Sequence, residues 1–207
     1  LTIHGDGDED SLSIYDTGET ADAVGALSST QLIGLGMTGR VTYGFFEELS
    51  IGLGSGNDLF TITDTHENKT TLATHDGSDL VTVESVKGVT SILTGNSIDT
   101  VNIQSIDAET LVNTGADHDI INIGSLSPET GGELTGVRDI LTVIGGTESD
   151  QLNVDTTNSR DRTVGILTHR QIIGLGMTQP TNYLNQPFGP PTPAISQTKT
   201  SLSAAAR

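Results

Sequence analysis

Cysteine is absent from the 207 residues, which removes both a disulfide framework and a thiolate metal site. Basic residues are scarce: nine Lys and Arg stand against 27 Asp and Glu, for a formal net charge of −18. Binding phosphate takes clustered Lys and Arg, so neither nucleic acid nor an anionic membrane surface is an expected partner. Tryptophan is missing and aromatics make up 3%. The core must therefore be aliphatic and thin. No apolar run approaches the roughly 20 residues that a membrane-spanning helix needs, so insertion into a membrane is not expected. The chain opens inside a strand-like segment without an initiating Met, as a processed protein or a fragment of a larger one would. Proline is almost confined to the end, with five of six falling after residue 178.

What the chain does contain is a copy of itself. Residues 141–178 repeat residues 1–38 at an offset of 140 without a gap, and 16 of the 38 pairs are identical. LTIHGDGDEDSLSI faces LTVIGGTESDQLNV, and QLIGLGMT faces QIIGLGMT. Long internal repeats decide architecture before any single residue does.

A shorter beat runs inside the long one: Asp, any residue, apolar, small polar, apolar. It occurs at Asp10, Asp58, Asp79, Asp99, Asp119, Asp139 and Asp150, with steps of 21, 20, 20 and 20 from Asp58 to Asp139. The two apolar positions and the Ser, Thr or Asn between them alternate with period two, the pattern of a half-buried strand. A second strand precedes each Asp, with an aliphatic residue seven positions earlier in six of the seven units, at Ile3, Ile51, Leu72, Ile92, Val112 and Val143, and Gly132 the exception. One period thus reads strand, loop, strand, turn. A single such unit cannot bury its own apolar face, whereas stacked units bury one another's.

The expected fold is all-β, a parallel β-solenoid with coils of about 20 residues. Its outward face would carry a polar ladder of Ser13, Thr61, Thr82, Asn102, Asn122, Thr142 and Asn153. A β-sandwich explains the turns but not the even spacing of the Asp motif. Residues 15–50 keep the beat poorly, although strands are expected at 26–28, 31–35, 41–43 and 48–53. The expected division is a repeat domain over 1–178, with its second 140-residue copy starting at 141, and an extended Pro-, Ser- and Thr-rich segment over 179–207.

The turns carry the charge. Residues 53–61, LGSGNDLFT, resemble the nonapeptide of RTX (repeats-in-toxin, haemolysin-type) proteins, with Leu53 in place of the first glycine. The resemblance implies a parallel β-roll of a large extracellular surface protein with calcium between its turns. It implies that Gly54 and Gly56 form the tight turn, that Asp58 supplies a carboxylate and that Phe60 points inward. Other turns match less well, and the period here is 20 with one motif per coil, where that family has 18 with two. Read on their own, Asp58, Asp79, Asp99 and Asp119 should stack at the strand spacing, where like charges repel by about 1 kcal/mol per pair even in water-like dielectric. Calcium, with six to eight oxygen ligands, would relieve that repulsion. The candidate metal ligands are Asp10, Asp58, Asp79, Asp99, Asp119 and Asp150. The alternative is that each Asp closes an Asx turn on its own backbone.

The five histidines show no ligand spacing, and the Gly-rich stretches lack the Lys-Ser/Thr of a phosphate loop. Asn68-Lys69-Thr70 is a glycosylation sequon that has meaning only in a eukaryotic secretory pathway. Carboxylates are spread evenly rather than gathered with Arg in a cleft, which argues against a polysaccharide-active β-helix enzyme. The sequence reads as a non-enzymatic structural or adhesive repeat of an extracellular or cell-surface protein. Self-association through the solenoid ends would build a filament or array. A calcium- or glycan-binding module is the alternative.

Overall fold

The computed structural model describes residues 1–160 and 163–184. Most of the expected Pro-rich segment, from 185 onward, lies outside the described residues. The described residues contain 18 strands and no helix. The strands are β1 (Thr2–His4), β2 (Ser11–Tyr15), β3 (Val24–Leu27), β4 (Gln31–Gly34), β5 (Arg40–Gly44) and β6 (Glu48–Gly52). There follow β7 (Leu59–Ile62), β8 (Lys69–Ala73), β9 (Leu80–Val83), β10 (Thr90–Leu93), β11 (Thr100–Ile103) and β12 (Thr110–Asn113). The chain continues with β13 (Ile120–Ile123), β14 (Leu141–Ile144), β15 (Gln151–Val154), β16 (Gly165–Leu167), β17 (Gln171–Gly174) and β18 (Thr181–Leu184).

They form two sheets of nine strands. The first runs β1-β5-β4-β3-β7-β9-β11-β13-β15 and the second β16-β17-β18-β14-β12-β10-β8-β6-β2. From β5 to β15 the chain places one strand in each sheet alternately; from β6 to β13, strands 20 or 21 residues apart pair in parallel, and β12 with β14 and β13 with β15 pair in parallel at 31. Val81 pairs with Val101 and Val101 with Ile121, while Leu72 pairs with Ile92 and Ile92 with Val112. This in-register stacking follows from the aliphatic pattern, because a slip of one residue would turn every inward side chain outward. Leu72, Val81, Ile92, Val101 and Val112 are completely buried. Each contributes about 1.5–3 kcal/mol of hydrophobic burial.

Two local departures interrupt the parallel pairing. β3, β4 and β5 form an antiparallel meander, and so do β16, β17 and β18. These are the two copies of one sequence, and their details match. The hydroxyl of Tyr43 donates to the carbonyl of Ser28 at 2.6 Å, and that of Tyr183 donates to the carbonyl of Thr168. The copies lie in opposite sheets: β1 and β3 to β5 are in the first, β14 and β16 to β18 in the second. β18 pairs with β14 as β5 pairs with β1, so the sheets extend to at least Leu184.

The even beat also stops after Asp119. Residues 124–140 connect β13 to β14 through a long irregular loop, held in part by a bridge between Ile106 and Val137. The strand after Asp139 therefore joins the second sheet beside β12, and β15, after Asp150, takes the next place in the first. Likewise β2, after Asp10, lies in the second sheet beside β6.

Candidate functional site: a buried aspartate ladder

Each strand from β9 to β15 in the first sheet begins just after an aspartate. Parallel registry places these side chains one above another, together with Asp58 before β7. Five of the six candidate residues thus come together: Asp58, Asp79, Asp99, Asp119 and Asp150. Each carboxylate reaches along the stack to the preceding coil. The amides of Ala23, Asp58, Asp79, Asp99 and Asp119 donate to the Oδ1 atoms of Asp58, Asp79, Asp99, Asp119 and Asp150, at 2.8, 2.8, 2.8, 2.9 and 3.1 Å. The turn aspartates bond the neighbouring coil rather than closing local Asx turns, because the strand spacing brings that coil's amide within reach.

Asp10 stands apart. Its strand pairs with β6, which follows Glu47, so its amide donates to Glu47 Oε2 at 2.8 Å while its own Oδ2 accepts from the amide of Asp6 at 2.6 Å.

The ladder faces inward. Asp99 and Asp119 are 0% exposed and Asp58 and Asp79 2%, and the Oδ2 atoms of all four are buried without a donor. Burial pushes Asp99 up from 3.8 to about 7 and Asp79 and Asp119 up to about 6. Burial likewise raises Asp58 and Asp150. Amide hydrogen bonds oppose these shifts, as do the neighbouring hydroxyls of Thr74, Thr94 and Thr114. Those hydroxyls also donate to the carbonyls of Thr94, Thr114 and Gly145, each at 3.1 Å. A hydroxyl hydrogen spent on a carbonyl leaves the threonine oxygen as an acceptor. Burial of Oδ2 without a donor thus favours the protonated acid, and ionising the ladder leaves buried charge with no partner at that oxygen.

The threonines were overlooked among the candidates, although a signal exists: each lies five residues before its Asp, at the same 20-residue spacing. The glycine after two of them is equally constrained. A Cβ at Gly95 would sit 1.9 Å from the carbonyl oxygen of His75, and one at Gly115 2.0 Å from that of Gly95, and both residues have positive φ.

The ladder does not fit a calcium ion. At Asp58, Asp79, Asp99 and Asp119 one oxygen accepts from an amide and the other is enclosed, whereas calcium takes six to eight oxygens. Among the described residues no three His, Cys, Asp or Glu side chains converge on a point that could hold a metal. A second, exposed row runs along the turns. Asn57 Oδ1 accepts from the amide of Ser78, Asp117 Oδ2 from that of Ser97 and Glu148 Oε2 from that of Asp117, while Asn96 Nδ2 donates to Asp76 Oδ1. These polar groups, too, tie coil to coil.

On the outer face of the first sheet Thr61, Thr82, Asn102, Asn122 and Asn153 lie in register. Asn153 Nδ2 donates to Asn122 Oδ1 and Asn122 Nδ2 to Asn102 Oδ1, both at 2.8 Å. Ser13 and Thr142 belong to the second sheet instead.

Comparison of the chain with protein-family models, curated proteins and solved structures finds no match.

Proposed function

We propose that the chain is a two-sheet parallel β-solenoid with a structural or adhesive role, a repeat segment of an extracellular or cell-surface protein that assembles end to end. One observation carries this reading. The second sequence copy continues the stack that the first begins: β14 lies on β12 and β15 on β13, with the Asp, Asn and aliphatic ladders unbroken. The stack is thus extended by adding more of the same sequence. The distinctive polar side chains support the same reading, since they are spent on bonds between coils rather than gathered around a substrate.

Strand edges left unpaired in such a stack are templates for further strands. A contact between unlike ends is heterologous and grows into a fibre when it does not close. Negative-stain microscopy and light scattering over a concentration series are the test. Rods that lengthen with concentration are expected, and uniform monomers at high concentration would refute the assembly.

A glycan-binding module is the second reading. It is favoured by a hollow of about 300 Å³ between the outward Asn122 and Asn153 and the Ser127–Thr130 loop, with Asp155 at its side. Glycan-array screening tests it, with binding lost in Asn153→Ala.

A further inference from the structure

Among the described residues both sheets contain nine strands. Equal counts make the two ends complementary whatever the offset between the sheets. A copy shifted along the stack by nine strand spacings brings its β1 beside β15 and its β2 beside β16 together. Polarity agrees: β1 and β15 run in the same sense through the first sheet, and β2 and β16 in the same sense through the second.

The end faces are incompletely covered where the middle is sealed. Ile3, Leu12 and Ile14 at one end and Leu152 and Val154 at the other are only partly buried, against complete burial of Ile92 and Val101 in mid-stack. The two sequence copies make the deficit concrete. Leu27 in β3 is 0% exposed beneath β7, while its counterpart Leu167 in β16 is 55% exposed. The carbonyls of Ala23 and Leu27 accept from the amides of Leu59 and Thr63, so the matching groups of β16, at Thr163 and Leu167, face an edge that no strand among the described residues covers. Charge also disfavours like ends meeting, because residues 1–22 carry seven carboxylates and no Lys or Arg, whereas Arg160 and Arg170 lie in the segment holding β16.

We infer that a second copy of this chain, in the same orientation and displaced by nine strand spacings, docks its β1 on β15 and its β2 on β16. This rests on the end-to-end reading above and specifies its interface. The displacement is roughly 43 Å at the usual strand spacing.

The test is a mixing experiment with one-sided blocks. The amide of Ser13 faces away from β6, since Asp10 and Asp16 make the flanking bonds to that side. Ser13→Pro therefore blocks one end and Leu167→Pro the other, each without removing a bond inside the stack. His4→Pro with Val154→Pro is a second pair, acting on the other sheet, for use if either first variant fails to keep the wild-type circular dichroism. By analytical ultracentrifugation wild type should form oligomers, each single variant should form fewer and shorter ones, and an equimolar mixture should gain a 1:1 dimer through its two intact ends. Monomeric wild type would overturn both this interface and the assembly reading. Wild-type oligomers that persist unchanged in both blocked variants would overturn the interface alone.

Discussion

Replacing Asp99 by Asn probes the ladder most sharply, because Asn is a neutral isostere of the protonated acid. Its Oδ1 can still accept from the amide of Asp79, and its Nδ2 replaces the buried Oδ2 that has no donor, without adding charge. Asp99 is fully buried and raised from 3.8 to about 7. The sign follows from the direction of the shift. A carboxyl whose folded pKa lies above its unfolded value contributes its full stability below the unfolded value and loses it as pH rises through the folded one. The window is therefore about pH 4 to 7. At pH 8 the folded state bears an ionised Asp99 at a cost on the order of 4 kcal/mol, three pKa units at about 1.4 kcal/mol each. Asp99→Asn should remove much of that cost at pH 8 and change little near pH 4.5. At about 2–4 °C per kcal/mol for a chain of this size, the melting temperature at pH 8 should rise by roughly 10 °C. Net charge relaxes with pH as well, so the informative quantity is the difference between variant and wild type at each pH. Thermal melts by circular dichroism at pH 4.5, 6 and 8 provide it. Equal destabilisation of Asp99→Asn at all three would refute the protonated ladder.

Further outcomes follow from the same geometry. Thr94→Val removes the donor to the Thr114 carbonyl and the partner of Asp99, and should cost about 1–3 kcal/mol in denaturant titrations. Gly95→Ala sets a methyl 1.9 Å from the His75 carbonyl at positive φ, and should destabilise the fold by more than the about 1 kcal/mol that the same change gains at a compatible site, read as a lower denaturant midpoint. Ile92→Ala, in the sealed middle, should cost about 2–5 kcal/mol. Melting in calcium and in EGTA should coincide within a degree or two, since the buried ladder forms no cage for the ion; a large rise in calcium would show ion-bound turns.

Much of the stack was legible because aliphatic periodicity and parallel registry are two views of one constraint. The spacing from Asp58 to Asp119 placed Val81, Val101 and Ile121 together, and the strands expected near 26–28, 31–35, 41–43 and 48–53 form as β3 to β6. The antiparallel meanders were not legible, since alternation reports a strand's burial but not the direction of its partner. The side of the stack was ambiguous for the same reason. Asp10 and Asp139 carry the motif, but the meander before β6 and the loop before β14 leave the strands that follow them in the second sheet. The inward turn of the carboxylates was hidden too. Acidic turns in a chain of this charge read as solvated, and only stacking shows that one coil's amide draws the next coil's Asp inside.

The most direct measurement of the stacked architecture is a distance between positions far apart in sequence. Ser13 and Thr142 lie in register across β2, β6, β8, β10, β12 and β14, five strand spacings or about 24 Å apart. Nitroxide labels on Ser13→Cys and Thr142→Cys, in a chain with no other cysteine, should give by pulsed electron resonance one narrow distribution near that value once label length is added. A broad distribution, or one centred beyond about 40 Å, would contradict coils piled in register at the spacing of a β-sheet.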